Sequence, residues 1–207
     1  MDGIYDHLIR YNPQGLLYLT EVENENDAGK PRMGLEECFI GSMLSLGILH
    51  DVNPSTRERD LNTARALTYT CMRLYFDAPL GLASEKTDLW GEKLQVVNSA
   101  VNNDLRPEAI ESLYYLNQIT GDPIYREWGW KIWKAIEHET KTNYGFGNSL
   151  DVRTRGKIDD RVDSFFFSKT MKFFYLLFKD EQVYNLMNQV INKEGHAFSI
   201  NSFVCYE

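Results

Sequence analysis

Apolar residues recur at helical spacing in segments of ordinary helix length, separated by turns of Gly, Pro and Asn, and this pattern predicts a mainly α-helical chain. A short helix is predicted over 3–11, ending at Asn12-Pro13, followed by a strand-like stretch from Leu16 to Val22. The next helix, over 35–50, places Phe39, Met43, Leu46 and Leu49 on one side. Ser55-Thr56-Arg57-Glu58 has the spacing of a capping box and predicts the start of a helix carrying Leu61, Ala64, Leu67, Cys71 and Leu74 to near Asp77, before Pro79 and Gly81 stop it. Residues 85–104 have little period and read as loop. Pro107, lacking a backbone N–H and fixed in φ, suits the opening of a helix that ends at Gly121-Asp122-Pro123. A further helix over 123–139 carries Ile124, Trp128, Ile132 and Ile136, and a Gly-bearing stretch covers 143–151. The helix predicted over 160–178 is apolar nearly all round, so burial on most sides is expected. A short helix over 181–192 and a strand-like piece over 194–204 complete the pattern.

Successive helices joined by short turns form helical hairpins, and a series of hairpins fits a curved array of inner and outer helices. The expectation is an all-α fold with short β-hairpin excursions. At 207 residues the chain suits one domain, and 43% hydrophobic and 13% aromatic content argues against disorder. A net charge of -8 disfavours nucleic acid and anionic membrane, both of which need a basic face. No run of 18 apolar residues is present to span a bilayer.

The chemistry concentrates at Arg106-Pro107-Glu108-Ala109-Ile110-Glu111. Glu108 and Glu111, three apart, share one face of the first helical turn, where the helix dipole favours negative charge. Taken alone, the dipole accounts for such a pair in any helix. Gly145-Phe146-Gly147 lacks the strand and third glycine of a phosphate loop, and His138-Glu139-Thr140-Lys141-Thr142 lacks the second histidine of a zinc helix. His7, His50, His138 and His196 show no metal-ligand spacing, and no serine or cysteine nucleophile constellation is evident.

Extended to Trp130, the segment around Arg106 resembles the glycoside hydrolase family 47 α-1,2-mannosidases. Collinear matches are Gly15-Leu16-Leu17-Tyr18-Leu19, Cys38-Phe39, Thr70-Cys71 and Gly81-Leu82-Ala83-Ser84-Glu85. Others follow at Asp163-Ser164-Phe165-Phe166, Lys172 to Phe178 and Asn192-Lys193-Glu194-Gly195-His196. The resemblance implies the C-terminal half of a catalytic domain whose helical hairpins close into a seven-hairpin αα barrel. One copy here would make only a partial αα toroid with an apolar rim, which implies a missing N-terminal half or a partner chain.

Inverting glycoside hydrolysis needs one carboxylic acid to protonate the leaving oxygen and one carboxylate to activate water. By resemblance the catalytic residues here are Glu108, the general base, and Glu111, which with Arg106 holds that base and the sugar hydroxyls. Arg106, Glu85 and Glu194 bind the sugar hydroxyls, and Phe165 stacks on the terminal mannose of a high-mannose N-glycan. A phenylalanine at position 165 is equally what a core residue looks like in sequence. The resemblance places the general acid and a further essential aspartate upstream of these segments, so this chain alone is expected to be nearly inert. Gly34-Leu35 replaces an aspartate-histidine pair, and Asp163 stands for a glutamate.

The family also carries calcium, held by a threonine where this chain has Lys193, with an acidic residue of the outer shell where it has Lys169. An ammonium beside the ion is repulsive: unit charges about 4 Å apart cost about 4 kcal/mol at an effective dielectric of 20, doubled for a divalent ion. Calcium binding is therefore expected to be weak or lost, with Lys169 and Lys193 supplying the missing charge to the carboxylates, unless the lysines extend to solvent. The resemblance further implies a Cys38–Cys71 disulfide, given an oxidising compartment, leaving Cys205 over. By spacing alone, three cysteines read as small buried apolar groups. The first residues, Met1 to Asp6, have no signal-peptide pattern, so a chain complete as written is expected in the cytosol, whereas the resemblance implies the secretory pathway.

Overall fold

The structure, a computed structural model, describes residues 2–20, 29–91 and 93–200. Helices dominate it: α1 (Asp2–His7), α2 (Ile40–Leu49), α3 (Arg57–Phe76), α4 (Glu108–Thr120), α5 (Ile124–Glu139) and α6 (Lys172–Phe178). The strands are two or three residues each and occur only in small antiparallel pairs and one three-stranded sheet. The all-α expectation with short hairpin excursions holds.

Helix α4 lies at the centre, packed against α2, α3, α5 and α6. Its Ile110, Leu113, Tyr114, Tyr115 and Leu116 are buried, so it is enclosed on nearly every side. Ser112 serves the packing of α2: its Oγ accepts from Ser42 N at 2.8 Å and donates to the Cys38 carbonyl at 2.5 Å. Gly121, left-handed at φ 68, ends the helix. A disulfide joins Cys38 to Cys71, tying the entry of α2 to α3. Closing a loop with 33 residues of separation is worth about 2–4 kcal/mol through the unfolded chain. Cys205 lies outside the described residues.

Several local expectations are corrected. The first helix stops at His7, because Ile9–Tyr11 (β1) pairs with Leu17–Leu19 (β2). The expected strand-like stretch is thus present at β2, with residues 21 and 22 outside the described set. The helix expected from Leu35 opens as a 3-10 turn over Glu36–Phe39. The capping box does not form: Ser55 Oγ donates to Asn53 Oδ1 at 2.8 Å, and Thr56 Oγ1 reaches Asp60 Oδ2 at 2.7 Å instead. Residues 85–104 are not all loop, since β4 (Lys86–Asp88) sits between β3 (Arg32–Gly34) and β5 (Gln95–Val96). The stretch over 143–151 contributes to two further hairpins, β6 (Lys141–Thr142) with β7 (Gly145–Phe146) and β8 (Asn148–Ser149) with β9 (Ile158–Asp159).

The helix expected from Asp160 begins only at Ser164 and passes through a π-helical segment, Phe166–Met171, before α6. Its burial is as expected at Phe166, Phe173, Phe174, Leu176 and Leu177, while Phe167 and Tyr175 are exposed. No helix forms over 181–192. Asn185 Oδ1 accepts from Met187 N at 3.1 Å and Gln189 Oε1 from Asn185 N at 3.0 Å, side-chain bonds that compete with helical ones. The chain instead turns into the hairpin of β10 (Gln189–Ile191) and β11 (Ala197–Ser199).

Candidate active site

Four pieces of chain meet at one cavity of about 840 Å³: the 3-10 turn, the start of α4, the helix from Ser164, and the turn between β10 and β11. Its walls include Arg106, Glu108, Glu111, Phe165, Lys169, Lys193 and Glu194, so seven of the residues picked out in the sequence come together. Glu85 does not line it. That carboxylate lies against Arg106, accepting from its Nε, and takes a second hydrogen bond from Asp104 N at 3.1 Å.

The approach to α4 is built to aim Arg106. Leu105 is buried in the left-handed region at φ 59, a conformation that costs a non-glycine residue about 1–2 kcal/mol. Its surroundings over-determine it: Leu105 N donates to Asn103 Oδ1 at 2.9 Å, and its carbonyl accepts from Thr170 Oγ1 at 2.7 Å. Asn103 in turn donates to the Ala83 carbonyl at 2.6 Å, linking the strained residue to the segment that carries Glu85. The guanidinium so placed also reaches Glu36 Oε1 at 3.0 Å and lies 5.9 Å from the Phe165 ring centroid. Burial works against the Arg106 charge, but Glu85 outweighs it and holds the guanidinium above its ordinary pKa. Burial also pushes Glu85 above the usual carboxylate range, with Arg106 opposing it in part.

Glu108, unlike Glu111, has no ion-pair partner among the described residues. Its Oε2 is withdrawn from solvent and has no hydrogen-bond partner among the described residues. Burial raises its pKa, with its own backbone N–H, Arg106 and Lys169 opposing in that order. Glu111, by contrast, accepts from Lys169 Nζ at 2.8 Å in an ion pair of which both side chains are mostly buried. Phe165 is half-buried at the cavity wall, between the core and surface readings.

Because folding raises the pKa of Glu108, the folded state binds the proton more tightly than the unfolded one. The stability linked to that proton is fully present below the ordinary carboxylate pKa and is lost as pH rises through the folded value. Glu108→Gln, a neutral isostere, is expected to unfold at a higher temperature than wild type at about pH 7, the gap closing towards about pH 4. Paired thermal melts read this directly, and a lower midpoint for the variant at neutral pH would count against a carboxylate strained by burial.

The residues present do not fit a calcium ion. The described residues contain no group of three or more His, Cys, Asp or Glu side chains placed to hold a metal. Glu111 is taken by Lys169, and Lys193 sits exposed in the turn, its side chain offering no oxygen. Calcium takes roughly 6–8 oxygen ligands, and position 193 offers only its backbone carbonyl with an ammonium on the side chain.

The sequence alone did not single out Glu36, and it read Phe39 as an apolar helix position rather than as part of a cavity wall. Glu36 and Phe39 line the cavity because the 3-10 turn faces it, and no periodicity reports that. The conformation of Leu105 left no trace in its residue type, since glycine is the residue that such a backbone usually selects.

The family model for glycosyl hydrolase family 47 matches residues 1–200. An Arabidopsis thaliana mannosyl-oligosaccharide 1,2-alpha-mannosidase is 35% identical over 201 residues, covering 97% of this chain and 35% of the relative. An endoplasmic reticulum mannosyl-oligosaccharide 1,2-alpha-mannosidase from Schizosaccharomyces pombe is 32% identical over 219 residues, covering 96% of this chain and 42% of its own length. The solved structure of an alpha-1,2-mannosidase from Trichoderma reesei superposes with a TM-score of 0.84 at 24% identity, over 96% of this chain and 45% of that one. That likeness fixes the fold as part of the same αα architecture. The chain thus spans less than half the length of each of these proteins.

Proposed function

The chain belongs to glycosyl hydrolase family 47, and we propose that its cavity is a mannose site, shaped for the terminal α-1,2-linked residue of a high-mannose N-glycan, that does not turn substrate over by itself. In this reading the chain supplies the C-terminal half of the catalytic domain. Glu108 is the base side of the reaction, Glu111 is its neighbour on the same helical face, and Arg106 and Glu194 take sugar hydroxyls. Phe165 offers its ring to the apolar face of the sugar, and Glu85 keeps Arg106 in place.

The observation that carries the reading is the state of Glu108. A carboxylate oxygen buried without a partner is costly and calls for an explanation. Its position beside a guanidinium and an aromatic ring, on the wall of a cavity large enough for a sugar, supplies one. A base works best with its pKa near the working pH, and burial moves Glu108 in that direction. The proton donor for the leaving oxygen is assigned to the other half of the domain, and the calcium site is taken as weak or lost. The Cys38–Cys71 disulfide supports a secretory-pathway setting, where such bonds persist.

Titration of α-1,2-mannobiose tests the reading. Wild type and Glu108→Gln are expected to bind alike, whereas Phe165→Ala should weaken binding by roughly fivefold, the worth of about 1 kcal/mol of ring contact. If neither wild type nor Glu108→Gln binds the disaccharide, the carboxylates are a buried polar network with no sugar role.

A further inference from the structure

We infer that Thr170 is a positioning residue of this site: its hydroxyl holds the left-handed Leu105 and thereby sets the direction in which Arg106 enters the cavity. Thr170 is fully buried and lies outside the cavity wall, so it acts only through what it holds. Its Oγ1 donates to the Leu105 carbonyl at 2.7 Å, from 65 positions along the chain. The other bond to Leu105, from its N–H to Asn103 Oδ1 at 2.9 Å, is local, so Thr170 is what ties the residue to a different element. The left-handed region is small and unfavourable for leucine. A Leu105 freed from these bonds would leave it and swing the following guanidinium away from Glu85 and Glu36.

The widened turn over Phe166–Met171 is what brings Thr170 into reach. In an α-helix, at roughly 100° per residue, position 170 would stand roughly 140° round from Phe165. Closing the turn from i to i+5 carries position 170 back towards that face, and π segments of this kind recur at functional sites. Phe165, Lys169 and Thr170 therefore all reach the approach and first turn of α4. The Phe165 ring lies 5.9 Å from the Arg106 guanidinium, Lys169 Nζ donates to Glu111 Oε2 at 2.8 Å, and Thr170 takes Leu105. The turn that carries Glu194 is seated on the same segment. Gly195 has φ 79, a Cβ there would lie 2.1 Å from the Ser168 carbonyl oxygen, and Lys172 Nζ donates to the Gly195 carbonyl. One turn of helix thus registers three pieces of the cavity's surroundings against one another, and a binding site works only when its walls are held to within about 0.5 Å.

The inference rests on the mannose reading only for the group that Arg106 holds, and the aim of Arg106 is measurable without sugar. An Nε–H engaged by a buried carboxylate exchanges slowly with water and gives a separate nitrogen–proton NMR resonance, assigned by its loss in Arg106→Lys.

In the full chain, wild type is expected to show that resonance. Thr170→Val, which keeps the shape and removes the hydroxyl, should lose it and bind α-1,2-mannobiose roughly tenfold more weakly. Thr170→Ser restores the donor and should restore both. Thr70→Val is the matched control: it deletes another buried hydroxyl that donates to a distant carbonyl, that of Leu17 at 2.6 Å, and should melt lower while leaving resonance and affinity alone. Should Thr170→Val fail to fold, Asn103→Ala, which cuts the other bond to Leu105, is read in its place. A resonance missing from wild type, kept in Thr170→Val, lost in Thr170→Ser or lost in Thr70→Val overturns the inference. The expected resonances with no mannobiose binding by wild type support it while sinking the mannose reading.

Discussion

The 207-residue chain by itself is expected to release mannose from α-1,2-mannobiose roughly 10²- to 10⁴-fold more slowly than a whole enzyme such as the Trichoderma mannosidase. The reason is a division of labour between two carboxyl groups on opposite faces of the sugar. Glu108 answers to one of them. Of the other acids at the cavity, Glu111 is engaged by Lys169 and Glu36 by Arg106, Glu37 lies beside Glu36 on the 3-10 turn, and Glu194 stands in an exposed turn. A base with no donor opposite it polarises water but leaves the departing oxygen unprotonated, and one missing acid-base group alone accounts for a loss of that size. Chromatographic assay of free mannose, with Glu108→Gln as the control, measures it. Release at the rate of the Trichoderma enzyme, abolished in the control, would refute the division of labour.

Arg106→Ala is expected to cost about 2–4 kcal/mol of stability and to abolish measurable mannobiose binding. Removing one member of a buried ion pair costs roughly 3–5 kcal/mol, because the other charge stays behind without compensation. The lower range applies here, since the Arg106 side chain is 23% exposed and that of Glu85 13%. For a chain of this size the loss corresponds to a fall in melting temperature on the order of 10 °C. Arg106→Lys should recover little, because a single ammonium cannot present the planar fork that meets Glu85 and Glu36 at once. Arg106→Ala combined with Glu85→Gln should regain part of the stability and none of the sugar binding. A single variant that melts with wild type would show that the guanidinium carries no structural weight.

The site and the fold were legible in the sequence to different depths. Periodicity located α3, α4 and α5 to within a few residues, because each has a long apolar stripe and a clear stop such as Gly121. It failed at 9–11 and 181–192, where strand pairing and asparagine side-chain bonds overrode helical propensity. The collinear blocks pointed to the family, which the match over residues 1–200 bears out, and to residues that the fold does gather round one cavity. Short strands such as β3 and β4 were out of reach, since two or three residues carry no readable period and pair only across long chain separations.

By itself the sequence determined which groups were available: a run of helices with apolar faces, an arginine and two glutamates at the head of one of them, and lysines where oxygen ligands were expected. Tertiary structure decided which of those groups meet. It gave Glu111 to Lys169, Glu85 to Arg106 and the Gly195 carbonyl to Lys172, and it left one Glu108 oxygen buried without a hydrogen bond and Lys193 in solvent. Residue identity sets a charge and a reach, but the strength of a charge depends on burial and on neighbours within a few ångströms. Those are fixed only when segments far apart in the chain pack together.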